Sequence, residues 1–191
     1  MGRHSRNMDK KLVDAAMRLI PRTGFSGLKV RTLAKSARVN LGMFHYHFRT
    51  KANFASRVLQ QFYDHFFEKF SSRAGEGQSP FQQLTNVLVT IAQHGRDHRE
   101  FLLVLVQDAV QGYAPTIRFA KQNIPRHMKI VIRLVRQCQT QGLIKQMPIP
   151  FIIPWLMGSI ATPNCVVAIL ERSKAEKPFG VSMEEARDLL L

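Results

Sequence analysis

A chain of 191 residues, 45% of them apolar, can bury a sizeable core in one domain or two small ones. Its net charge of +15 is unevenly spread: residues 1–51 hold twelve Lys or Arg against Asp9 and Asp14, and the remainder holds sixteen against eleven. The opening is polar and basic, so no signal peptide is expected. Cys138 and Cys165, far apart and each in an apolar helical pattern, read as buried thiols rather than a disulfide. The longest apolar stretch, 151–170, is interrupted by Pro154, Gly158 and Pro163, so no bilayer span is expected and the chain reads as soluble and cytoplasmic.

The first eight residues, with Arg3, His4 and Arg6, read as a flexible basic arm. A helix is expected over about 9–22, with Leu12, Ala16, Leu19 and Ile20 on one face and Gly24 supplying the turn. Phe25 and Leu28 then pack back on it. A second helix, 30–37, places Val30, Leu33, Ala34 and Ala37 inward and leaves Arg31, Thr32 and Lys35 outward. Asn40 stands where a helix N-cap is wanted, because its side-chain oxygen can accept from the free amides of the next turn. The helix it opens, 41–47, is anchored by Phe44 and Phe48 and presents His45, Tyr46 and His47. A short helix held by aromatic anchors in a basic surround is a helix-turn-helix that can enter a major groove.

Further on, Thr50 caps a helix over 51–73 whose Leu59, Phe62, Phe66 and Phe70 form an aromatic stripe. Residues 71–80 read as a loop, 81–93 as a helix whose end Gly95 suggests, and His94 to His98 as a connecting turn. The span 99–111 is apolar all round, which predicts a buried helix. A long helix over 115–141, with Pro125 inside, turns Ile124, Met128, Val131, Val135 and Cys138 inward and a basic stripe of Arg126, Lys129, Arg133 and Arg136 outward. The next, 151–172, carries Trp155 and the small residues Gly158, Ser159 and Ala161. Ser182 and Glu185 form a capping box for a terminal helix ending in Leu189, Leu190 and Leu191.

The order Val39, Asn40, Gly42, Phe44, His47, Phe48, Thr50, Lys51 resembles the DNA-binding signature of the TetR family of transcriptional regulators. Gly24-Phe25 and Val30-Arg31-x-Leu33-Ala34 fit that family's first helices, and the resemblance covers about 12–62. The chain departs from the pattern at Lys29 (for a Ser or Thr cap), Arg38 (for a turn glycine), His45 (for tyrosine), Arg49 (for proline) and Ala52 (for an acidic residue). The resemblance implies an all-α protein of about nine helices: an N-terminal three-helix DNA-binding module, 1–50, and a C-terminal bundle for ligand binding and dimerisation, 51–191.

The function expected is that of a homodimeric, DNA-binding regulator with no cofactor and no metal, a repressor released from a palindromic operator by an apolar or amphipathic small molecule. Arg31, Leu41, Gly42, Met43 and Tyr46 are candidates for base edges, with Arg31 able to pair bidentately with guanine. Lys29, Asn40, His45, His47 and Lys51 are candidates for phosphates. Phe62, Phe66, Met128 and Trp155 are candidates for the effector's lining. Two other classes remain open: a helical adaptor for a protein partner or an anionic membrane surface, and a metal-dependent enzyme using His94, Asp97 and His98. The second lacks an identifiable third ligand or nucleophile–base pair, so no enzymatic activity is expected.

Overall fold

In the computed structural model, which describes the backbone of residues 3–174 and 180–185 and the side chains from Met8 onward, every regular element is helical. Eight helices follow in order: α1 (Arg3–Gly27), α2 (Val30–Ala37), α3 (Leu41–Phe48), α4 (Lys51–Gly75), α5 (Pro80–Asp97), α6 (Arg99–Val110), α7 (Ala114–Thr140) and α8 (Ile149–Arg172). A further turn begins after Ser182, where the capping box is closed: Ser182 N–H donates to Glu185 Oε2 at 2.8 Å, and Glu185 N–H donates to Ser182 Oγ at 3.2 Å. The three terminal leucines lie outside the described residues.

The helices fall into two compact units. Unit 1 runs to Asp64 and takes in 100–123; unit 2 is 65–99 together with the chain from Ile124. The compact units divide α4 and α7 within their lengths. In unit 1 the core joins Leu12, Ala16, Ile20 and Phe25 of α1, Leu33 and Ala37 of α2, Phe44 and Phe48 of α3, Phe54, Val58 and Leu59 of α4, and Phe101 and Val104 of α6. Tyr63 OH donates to the carbonyl of Asn123 at 2.8 Å, tying α4 to the first part of α7.

In unit 2, α5 packs on α8, and the interior holds Phe66, Phe70, Leu84, Val87, Val131, Leu134, Val135, Cys138, Ile152 and Val167. Arg99 grips Glu171 of α8 with both ends of its guanidinium, at 2.8 and 2.6 Å. Gln139 secures the turn after α7 by donating to the carbonyls of Lys145 and Met147.

Several boundaries differ from expectation. The backbone is helical from Arg3, so the arm is shorter than read. α4 continues to Gly75 and α5 to Asp97, with Gly95 inside it. Gly95 stays helical because its bare Cα admits a neighbour: a Cβ there would lie 3.1 Å from Asn164 Nδ2 on α8. α6 is not buried all round, since Val106 and Val110 are exposed while Asp108 is covered. Pro154 and Pro163 do not break α8, which is long and apolar enough to cross a membrane by length and composition alone.

Candidate nucleic-acid interface

The reading element is built by α2 and α3. α2 turns Leu33, Ala34 and Ala37 into the core and leaves Arg31, Thr32 and Lys35 exposed. It starts without help: Lys29 is extended at the N-cap and makes no side-chain capping bond. It ends in a Schellman arrangement, with Val39 N–H donating to Ala34 O at 2.9 Å and Arg38 N–H to Lys35 O at 3.1 Å. Asn40 then caps α3 as its residue type predicts, Oδ1 accepting from Gly42 N–H at 2.8 Å.

α3 is fixed by a ring cluster rather than by length. Phe44 lies 5.4 Å from Phe48 and 5.4 Å from Phe54, and Phe48 stands edge-on to Phe54 at 4.9 Å. Eight residues alone would not hold a helix in water, so these rings position the outward face. That face carries Gly42, His45 and Tyr46, the last 79% exposed, with Leu41 and Met43 half-buried beside them.

Two candidate phosphate ligands are engaged within the protein. The His47 side chain is only 9% exposed and its Nδ1 lies 3.5 Å from Asp9 Oδ1, so it ties α3 to α1. Lys51 Nζ donates to the Ser26 carbonyl at 2.8 Å and lies 5.8 Å from the centre of the Tyr113 ring. Lys29, Arg31, Asn40 and His45 remain exposed.

A buried carboxylate supports this arrangement and was not singled out by sequence reasoning. Asp108 of α6, 2% exposed, accepts from Phe25 N–H at 2.7 Å, from Ser26 N–H at 3.3 Å and from Ser26 Oγ at 2.5 Å. Gly24 makes this possible. Its φ is +67°, and a Cβ would sit 2.8 Å from Asp108 Oδ1. Only the Gly24-Phe25 pair hinted at it locally, because the acceptor lies 83 residues from Phe25.

The profile of the bacterial regulatory proteins of the tetR family matches residues 12–58, the stretch that forms the end of α1, the reading element and the start of α4. That stretch carries the helix-turn-helix of the tetR family. It is 23% identical over 155 residues, 80% of this chain and 75% of the relative, to the "Probable HTH-type transcriptional regulator YttP" of Bacillus subtilis. Its fold is that of the transcriptional regulator FadR of Bacillus subtilis, solved with stearoyl-CoA (TM-score 0.72, 15% identity, 95% of this chain and 96% of that one). It is equally that of AibR, solved with isovaleryl coenzyme A and operator DNA (TM-score 0.71, 18% identity, 96% and 95%). Residues 12–58 thus form a DNA-binding module of tetR type, in a chain that shares its fold with transcriptional regulators.

The expected effector residues separate. Phe62, in unit 1, packs against Phe101 at 4.6 Å beside the module's core. Phe66, in unit 2, is covered by His94, Phe70 and His127 at 4.6–5.6 Å. Met128 is half-buried. Trp155 is 70% exposed, which suits an interface and not the lining of an interior cavity. The His94 and His98 rings are 4.6 Å apart, and no group of three or more His, Cys, Asp or Glu among the described residues is placed to hold a metal ion.

Proposed function

We propose that this regulator is a repressor that binds a palindromic operator as a homodimer in the cytoplasm and is released by an amphipathic small molecule. The observation that carries the reading is the outer face of α8. Phe151, Trp155, Gly158, Thr162, Cys165 and Ile169 recur at alternating four- and three-residue steps, all exposed or half-exposed, with Phe151 69% and Ile169 55% open to solvent. A seam at that spacing matches a facing helix. Its occupant is a second copy of this chain, because a reading helix of eight residues spans few base pairs and a two-fold pair doubles the contact on a symmetric site. Arg31, Leu41, Gly42, Met43 and Tyr46 read bases in this proposal; Lys29, Asn40, His45 and Lys51 hold phosphates, and His47 positions α3.

For the effector, FadR and AibR were solved with acyl thioesters of coenzyme A, and α7 suits a polyanionic head of that kind. It carries Arg118, Lys121, Arg126, Lys129, Arg133 and Arg136 and no acidic residue. Lys129, Arg133 and Arg136 line an open groove of about 580 Å³ with Ile132, Gln137, Thr140 and Gln141, a volume in the range of small-molecule sites. Phe66 and Met128, both in unit 2, remain candidates for the acyl chain's surroundings.

Selection of duplexes from a random pool by the full chain tests the operator: enriched sequences without two-fold symmetry would remove the dimeric reading. Release of the selected duplex by stearoyl- or isovaleryl-coenzyme A tests the effector class. A reporter placed behind that duplex should be silenced by the chain; induction would make it an activator.

A further inference from the structure

Three non-glycine residues among those described have φ in the left-handed half of the map, and two of them, Arg38 and Arg49, bracket the reading helix. Arg38 has φ 53° and ψ 45° at the end of α2, the position in a Schellman turn that glycine fills without cost. Arg49 has φ 61° and ψ −52° immediately after α3. There Thr50 N–H donates to Phe48 O at 2.6 Å, closing a γ-turn of the rare, positive-φ kind. A side chain at such angles is strained, and strain of this sort gathers at functional sites.

Both residues are exposed, and the ion pairs found among the described residues use neither guanidinium. They are therefore not retained for a partner within those residues. Their spacing fits a duplex instead. Eight helical residues make α3 about 12 Å long, close to the width of about 12 Å of the major groove. Arg38, three residues before a helix of that length, and Arg49, just after it, stand beside the two phosphate walls when the helix lies across the groove. Resting on the DNA-binding reading above, we propose that Arg38 and Arg49 each hold a backbone phosphate, one on either wall. The chain accepts left-handed strain at both ends of α3 to place a guanidinium there. Neither contact reads sequence; together they fix the register in which Arg31 and Tyr46 meet the bases.

The test uses the full chain and replaces each arginine by glycine, which relieves the strain and removes the charge, and separately by asparagine, which tolerates the same φ, and by lysine, which keeps the charge. Thermal stability is measured beside affinity for a short mixed-sequence duplex over a range of salt. Arg38→Gly and Arg49→Gly should keep or raise the midpoint of unfolding and each reduce the slope of log affinity against log salt by about one. The asparagine variants should do the same to the slope, and the lysine variants should leave it at the wild-type value. Wild-type slopes in both the glycine and asparagine variants would overturn the proposal. A wild-type chain with no salt-dependent affinity for duplex would instead overturn the DNA-binding reading beneath it, a distinguishable result.

Discussion

Phe44, Phe48 and Phe54 in unit 1 pack against one another and are all covered, whereas Phe151 and Trp155 on α8 in unit 2 stand about 70% open. Each group is a helix's main apolar asset, but they are used differently. In unit 1 the rings meet inside one chain, so the reading surface is complete as the chain folds. In unit 2 the described residues leave these rings open. Charge divides in the same way. The cations of the reading element sit around a formed surface, while those of α7 line an open groove with no acidic residue on their helix. The difference teaches that, among the described residues, one half is finished and the other is left open.

The largest effect expected from breaking the finished half is at its rings. Phe44→Ala removes a fully buried side chain that orients α3, and it should cost about 3–5 kcal/mol in chemical unfolding and abolish DNA binding. A loss under about 1 kcal/mol would show that α3 is held by something other than this cluster. Next is Asp108→Ala, which leaves the Phe25 and Ser26 amides without their acceptor. Destabilisation of about 1.5–3 kcal/mol is expected, with DNA affinity falling further than that of a surface control.

The unfinished half breaks differently. Trp155→Glu places a charge on the α8 seam and should weaken dimerisation at least tenfold, about 1.4 kcal/mol, while the far-ultraviolet spectrum stays that of a folded helical chain. Light scattering at fixed concentration reads the change directly, and an unchanged mass would return the seam to another occupant.

How much of this was legible in the residues follows the same divide. α2 and α3 could be placed to within a residue because their apolar period is short and unbroken and Asn40 announces the cap. The Asp108 joint could not be read, since an acidic residue in an apolar run says nothing of amides far away in sequence. Gly95 was misleading for a related reason. A glycine inside a helix looks like a stop until the neighbour that needs its bare Cα, Asn164, is known. In α8 the helix expected over 151–172 carries both prolines within it. Local rules therefore located the reading element well and failed where distant partners decide.

A smaller effect separates the units by pH. Burial, then the neighbouring His98, lowers the pKa of His94 from 6.5 to about 4, with Asp97 opposing and His65 and Lys69 adding; His98 is lowered in the same direction by burial. The folded chain thus binds the proton less readily than the unfolded one. This contribution to stability is complete above pH 6.5 and is lost as pH falls towards 4. His94→Phe should flatten the acid side of the stability profile of unit 2. An unaltered profile would place the acid sensitivity elsewhere.

The smallest effect expected lies at Lys29, where the finished half departs from its own local rule. The residue is extended at the N-cap of α2 and supplies no side-chain acceptor, although Ser or Thr there would satisfy a free amide of the first turn. Lys29→Ser should therefore stabilise the chain by about 0.5–1 kcal/mol, a rise of a few degrees at most in the unfolding midpoint for a chain of this size. If Lys29 also holds a phosphate, the same substitution should reduce the salt slope of DNA binding by about one. The two readouts move in opposite directions only if the lysine is kept for the duplex at the expense of the cap. A gain in stability with an unchanged slope would make Lys29 an ordinary solvated cation and leave its place on the phosphate wall to Arg38.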